Sequence, residues 1–113
     1  MELFESAIAC VETGIEAIRP GATAADLAKA GLGKQQALGY DLTGVFSGLG
    51  HGIGLGWDSP WLAPTDHTKI EPGMVLCFER TVQKDGYLGD FEETVHVTED
   101  GPVKITDARI RWW

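Results

Sequence analysis

Asp85-Gly86 stands between two apolar stretches, residues 74–82 and 87–97, and no other dipeptide here constrains the fold as tightly. A two-residue β-hairpin turn needs positive φ at both central positions, which Asp-Gly accepts at little cost. The flanking stretches are rich in Val, Leu, Phe, Tyr and Thr, side chains that suit pleated, half-buried strands. With Asp85 and Gly86 as the turn, Lys84 pairs with Tyr87 and the register of the whole hairpin follows. Glu79 then faces Glu92, Cys77 faces Thr94, and Val75 faces His96, all on one face. Leu76, Phe78, Val95 and Val97 fall on the other face, as core. A longer turn would shift this register.

The facing glutamates have a chemical consequence. Directly opposed residues hold their Cβ atoms about 4.5–5.5 Å apart, and like charges there are destabilising. Either one carboxylate is protonated, or a cation lies between the two, or the pair belongs to a solvated surface. Cys77 reads as a small buried hydrophobe. His67 and His96 read as surface or supporting residues.

Upstream of the hairpin, Leu3, Phe4, Ala7, Ile8, Val11, Ile15 and Ile18 recur at helical spacing, which predicts a helix over residues 2–18. Pro20-Gly21 ends it, because proline lacks the amide donor that a helix interior uses. Thr23 followed by Asp26 has the spacing of a helix start, and a second helix runs to about residue 38, weakened by Gly31 and Gly33. A strand is expected near residues 42–46, then a glycine-rich segment, then an irregular loop through Pro60, Pro64 and Thr68. A last short strand is expected over residues 103–105, and Ile110-Arg111-Trp112-Trp113 is expected to pack on the core or seal a dimer. The fold class is therefore α+β. One domain over residues 1–113 places two N-terminal helices, residues 2–38, on an antiparallel sheet, residues 42–106.

His51 lies inside the glycine-rich segment, between Gly50 and Gly52. Glycines keep the backbone clear of bulk, so a metal or substrate can come close. Histidine is also the commonest protein metal ligand, though a histidine in such a segment more often serves a structural role. Acidic residues number 17 against 9 basic ones, for a net charge of −8. That disfavours nucleic acid and anionic membrane as partners and favours cations. Two cysteines, Cys10 and Cys77, fit a reducing compartment. No apolar run is long enough to span a membrane, and Glu2 and Glu5 interrupt the first apolar stretch, against a signal peptide. A cytoplasmic location is the resulting expectation.

Three segments in order carry a family resemblance. They are Gly50-His51-Gly52-Ile53-Gly54, then Glu71-Pro72-Gly73-Met74-Val75 leading to Glu79, then Phe91-Glu92 leading to Val97-Thr98-Glu99-Asp100-Gly101. Together with the helix ending at Ile15-Glu16-Ala17-Ile18-Arg19-Pro20-Gly21, they resemble the pita-bread metallopeptidase family. Its members include methionine aminopeptidase, aminopeptidase P, prolidase and creatinase. The resemblance implies that His51, Glu79 and Glu92 are metal ligands, that Glu79 and His51 are catalytic, and that Glu79 moves the proton of an attacking water. It further implies a dinuclear centre of Mn²⁺, Fe²⁺, Co²⁺ or Zn²⁺ in the complete enzyme, acting on peptides or small amides. Trp57 and Asp58 fall where peptidases of the family commonly carry histidine followed by glutamate, and are the implied substrate-binding residues.

The family's two aspartate ligands come from strands that precede the helix over residues 2–18, so they are expected to lie outside this chain. The chain then resembles the C-terminal half of the pita-bread fold, two helices on a curved antiparallel sheet. Such a half exposes a sheet edge and an apolar face, and the implied partner is a second copy or a complementing N-terminal half. A non-catalytic assembly module and a lyase are the alternative readings of the same fold.

Overall fold

The structure is a computed structural model and describes residues 2–42, 48–54 and 56–106. Beyond Leu42, the strand expected over residues 42–46 lies outside the described residues, as does the aromatic stretch over residues 110–113. Helices α1 (Glu2–Glu16) and α2 (Ala24–Ala37) cover one side of a five-stranded sheet. The strands are β1 (Gly50–Ile53), β2 (Trp57–Leu62), β3 (Val75–Lys84), β4 (Tyr87–Thr98) and β5 (Gly101–Lys104). They run antiparallel in the order β2-β1-β3-β4-β5.

The hairpin follows the expected register along its full length, from Lys84 opposite Tyr87 to Val75 opposite His96. Asp85 (φ 54°) and Gly86 (φ 82°) both take the left-handed conformation that the tight turn demands. Leu76, Phe78 and Val95 are fully buried against the helices, joined by Val11 and Ala7 of α1 and Leu27 of α2. Helix α1 stops two residues short of the predicted end, because Ala17 and Ile18 donate to Gly14 and Ile15 and tighten the last turn. Helix α2 starts on a capping box in which the Thr23 hydroxyl accepts from Asp26 N and Asp26 Oδ2 accepts from Thr23 N.

The glycine-rich segment and the loop after it differ from expectation. They form β1 and β2, an antiparallel pair with a bulge between His51 and Gly52. The glycines serve strand packing. A Cβ on Gly50 would fall onto the Cys77 carbonyl oxygen of β3, and Gly50 has φ +150°, where side chains are rarely accommodated. A Cβ on Gly52 would lie 2.5 Å from the Ser59 carbonyl oxygen of β2. The close approach is by neighbouring backbones, and it binds β1 tightly into the sheet. The last strand, expected over residues 103–105, instead begins at Gly101 and ends at Lys104.

Two charged side chains, Arg80 and Glu93, are buried in the helix-facing layer. Arg80 is 3% exposed. Its Nε donates to Gln35 Oε1 of α2 (2.6 Å), Nη1 to the Gly48 carbonyl (3.0 Å) and Nη2 to the Leu42 carbonyl (3.3 Å). The guanidinium thus pins the chain entering β1 to both β3 and α2.

The opposite face of the sheet carries no helix among the described residues. By strand alternation it presents Ile53, Trp61, Leu88, Val103 and Ile105, each more than 40% exposed, around a central strip of polar groups.

Candidate metal centre

The polar strip is built from three adjacent strands. Strand β3 brings Cys77, Glu79 and Thr81 to this face, and β4 brings Thr94, Glu92 and Asp90 opposite them. Strand β1 brings His51, directly opposite Cys77. The hairpin register alone sets Glu79 against Glu92, and the glycine-tight pairing of β1 with β3 adds the imidazole.

His51 is buried, and its ring lies 6.3 Å from that of Trp61. Its Nδ1 stands 2.8 Å from the Gly52 carbonyl oxygen, which can only accept, so Nδ1 carries the proton. In the neutral ring Nε2 then holds a lone pair, the tautomer a ligating histidine uses. Nε2 lies 3.8 Å from Glu79 Oε1. Burial, and next the facing Glu92, push the Glu79 carboxyl above the usual carboxylate range, while His51 opposes them. Two facing carboxylates, one half-buried, are costly without a cation. The donor set of imidazole and carboxylate oxygens suits a borderline divalent ion. The residues present therefore fit a divalent metal.

Residues 1–99 match the profile of Metallopeptidase family M24. The chain belongs to that family. Over 107 residues it is 31% identical to the Xaa-Pro dipeptidase of Pyrococcus furiosus, a match covering 93% of this chain and 30% of that protein. Over 103 residues it is 29% identical to the ectoine hydrolase of Halomonas elongata, covering 86% of this chain and 25% of that protein. The solved structure of prolidase from Pyrococcus furiosus superposes with a TM-score of 0.83 at 30% identity, over 94% of this chain and 32% of that one. The chain thus spans about a third or less of the length of these proteins. Metallopeptidases of family M24 use divalent metals, in keeping with the donor chemistry of the strip.

Two M24-type expectations meet the structure differently. Trp57 pairs with Ile53 at the end of β1, and its side chain lies outside what the structure describes. Asp58 is exposed, and its Oδ1 accepts from Ser59 N at 2.8 Å. Its pairing with Gly52 sets it one position out of phase with His51, so the fold does not bring it into the carboxylate cluster. His67 is exposed, and His96 is half-buried on the open face beyond Thr94.

Cys77 is the member that sequence patterning does not single out. It is buried, as expected of a small core residue, but on the wrong side for core. Its Sγ donates to Glu92 Oε1 at 2.8 Å, and burial, then Glu92, push the thiol pKa up. Donor atoms of Cys77, Glu79 and Glu92 all lie within 4.8 Å of one another, and His51 joins the group through Glu79. The signal was present in the hairpin register, which set Cys77 two residues from Glu79 on the same face.

Proposed function

We propose that this chain supplies the histidine and glutamate side of a divalent-metal hydrolase site that cleaves peptide or small-amide bonds in the complete enzyme. The observation that carries the reading is Glu79 directly opposite Glu92 with His51 Nε2 3.8 Å from Glu79. The activities of the relatives, a dipeptidase and an ectoine hydrolase, point to this substrate class. His51, Glu79 and Glu92 would hold the metal. A divalent ion in such a centre polarises a carbonyl and activates water for attack.

The chain's own groups do the rest. Glu79, its proton affinity raised by burial and by Glu92, accepts and returns a proton at its carboxylate oxygen. The Gly52 carbonyl holds the His51 ring in one orientation. Trp57 and Asp58, at the β1–β2 end, are proposed to meet substrate outside the carboxylate cluster. Isothermal titration with Mn²⁺ and Co²⁺ tests the site. Glu92→Ala is expected to weaken binding by more than about tenfold, since even partners outside the ligand sphere cost that much. Equal affinity in wild type and variant sinks the assignment.

The apolar rim of Ile53, Trp61, Leu88, Val103 and Ile105 gives the second part of the reading. Such a face, with a carboxylate strip at its centre, is covered by a second protein surface, either another copy or a complementing first half of the fold. Size-exclusion chromatography with light scattering is expected to give the mass of a dimer for the chain alone, or of a complex when a first half is supplied. A monomer under both conditions contradicts it.

A further inference from the structure

We propose that Cys77 is itself a ligand of the metal, so that this site binds thiophilic divalent ions in preference to Mn²⁺ or Mg²⁺. The inference rests on the metal-site reading above and goes further, to the selectivity of that site.

Three observations place the sulfur there. Cys77 sits directly opposite His51 in the β1–β3 register and two residues from Glu79, so it occupies the middle of the strip. Its Sγ is already 2.8 Å from Glu92 Oε1 and aims at the carboxylates. The donor atoms of Cys77, Glu79 and Glu92 lie within 4.8 Å of one another. Ligands on opposite sides of one ion, at bond lengths of about 2.0–2.3 Å, stand no more than about 4.6 Å apart. Small side-chain rotations therefore suffice for all three to reach a common ion.

Chemistry then sets the preference. Thiolate is a soft donor that favours Zn²⁺, Co²⁺ and Cd²⁺, whereas carboxylates alone suit Mg²⁺ and Mn²⁺. Coordination exchanges the thiol proton for the metal, and the proton leaves to solvent. At 2% exposure Cys77 is shielded from competing water. Cys10 is fully buried within α1 on the helix side of the sheet, outside this cluster.

Co²⁺ titration of the full chain, followed by absorption, is the test. The expected result is a near-ultraviolet sulfur-to-cobalt charge-transfer band that saturates with binding. The band is lost in Cys77→Ser and Cys77→Ala and retained in Cys10→Ala. Both Cys77 variants are expected to keep the far-ultraviolet circular dichroism of the wild type, which reports that they are folded, and both lose the preference for Cd²⁺ over Mn²⁺. Glu92-dependent Co²⁺ binding without the band overturns the thiolate ligand and leaves the carboxylate site standing. A band that survives in both Cys77 variants does the same. Absence of any Co²⁺ binding to the wild type overturns both.

Discussion

Replacing Arg80 with methionine is expected to cost about 3–5 kcal/mol of folding stability. Methionine fills much of the same volume, so the loss is electrostatic and directional rather than steric. The guanidinium satisfies Gln35 Oε1, the Gly48 carbonyl and the Leu42 carbonyl at once. Gln35 is 1% exposed, so its stranded oxygen finds no water, and each buried acceptor left unpaired costs about 1–3 kcal/mol. Arg80→Lys keeps the charge but replaces a planar fork by a single ammonium, and is expected to fall between wild type and methionine. Urea denaturation reads the effect. With a slope of about 1–1.5 kcal/mol per molar, the midpoint falls by roughly 2–5 M in the methionine variant. A midpoint unchanged within error means that the network carries no net stability. Because the network fixes Gly48 just ahead of β1, the same variant is expected to bind Mn²⁺ more weakly, with His51 less firmly held.

The contrast between Arg80 and the hairpin explains what could be read from the amino-acid order. The pairing of Glu79 with Glu92 follows from two residues, Asp85 and Gly86, because a tight turn fixes register and alternation propagates it. Helix α2 follows similarly from Thr23 and Asp26, a local capping pair. Arg80 has partners 45, 32 and 38 residues away, and no periodicity announces such contacts. Strands β1 and β2 were hidden for a related reason. Their segment has little apolar alternation, and what makes it a strand is its fit between Ser59 on one side and Cys77 on the other. The link from His51 to Glu79 came from family resemblance, and the β1–β3 register gives it a physical basis. Cys77 reads from the sequence as a small buried hydrophobe on the carboxylate face, because a small, buried residue looks the same there whether it faces a core or a metal.

Among the glycines whose surroundings the structure describes, Gly50 is expected to tolerate an added methyl (Gly50→Ala) least. The new Cβ would fall on the Cys77 carbonyl oxygen, a backbone atom that cannot rotate away, at φ +150° where alanine is itself strained. Relief requires β1 to move off β3. That motion breaks the bond from Glu79 N to the Leu49 carbonyl (2.8 Å) and pulls fully buried Leu49 out of the core. Overpacking with backbone strain makes a cost of at least about 3 kcal/mol the expected outcome. The same shift carries His51 away from Glu79, so the weakened protein also loses the imidazole contribution to metal affinity. Gly33→Ala makes the same chemical change on the exposed side of α2, where nothing lies within 4 Å. It is expected to stabilise by about 0.5–1 kcal/mol, because alanine favours the helix that glycine opposes. Opposite signs for the two substitutions in thermal unfolding would establish that the glycines around His51 serve close strand packing. Equal, small effects would mean that β1 can shift at little cost, and that His51 is not held in place by the sheet.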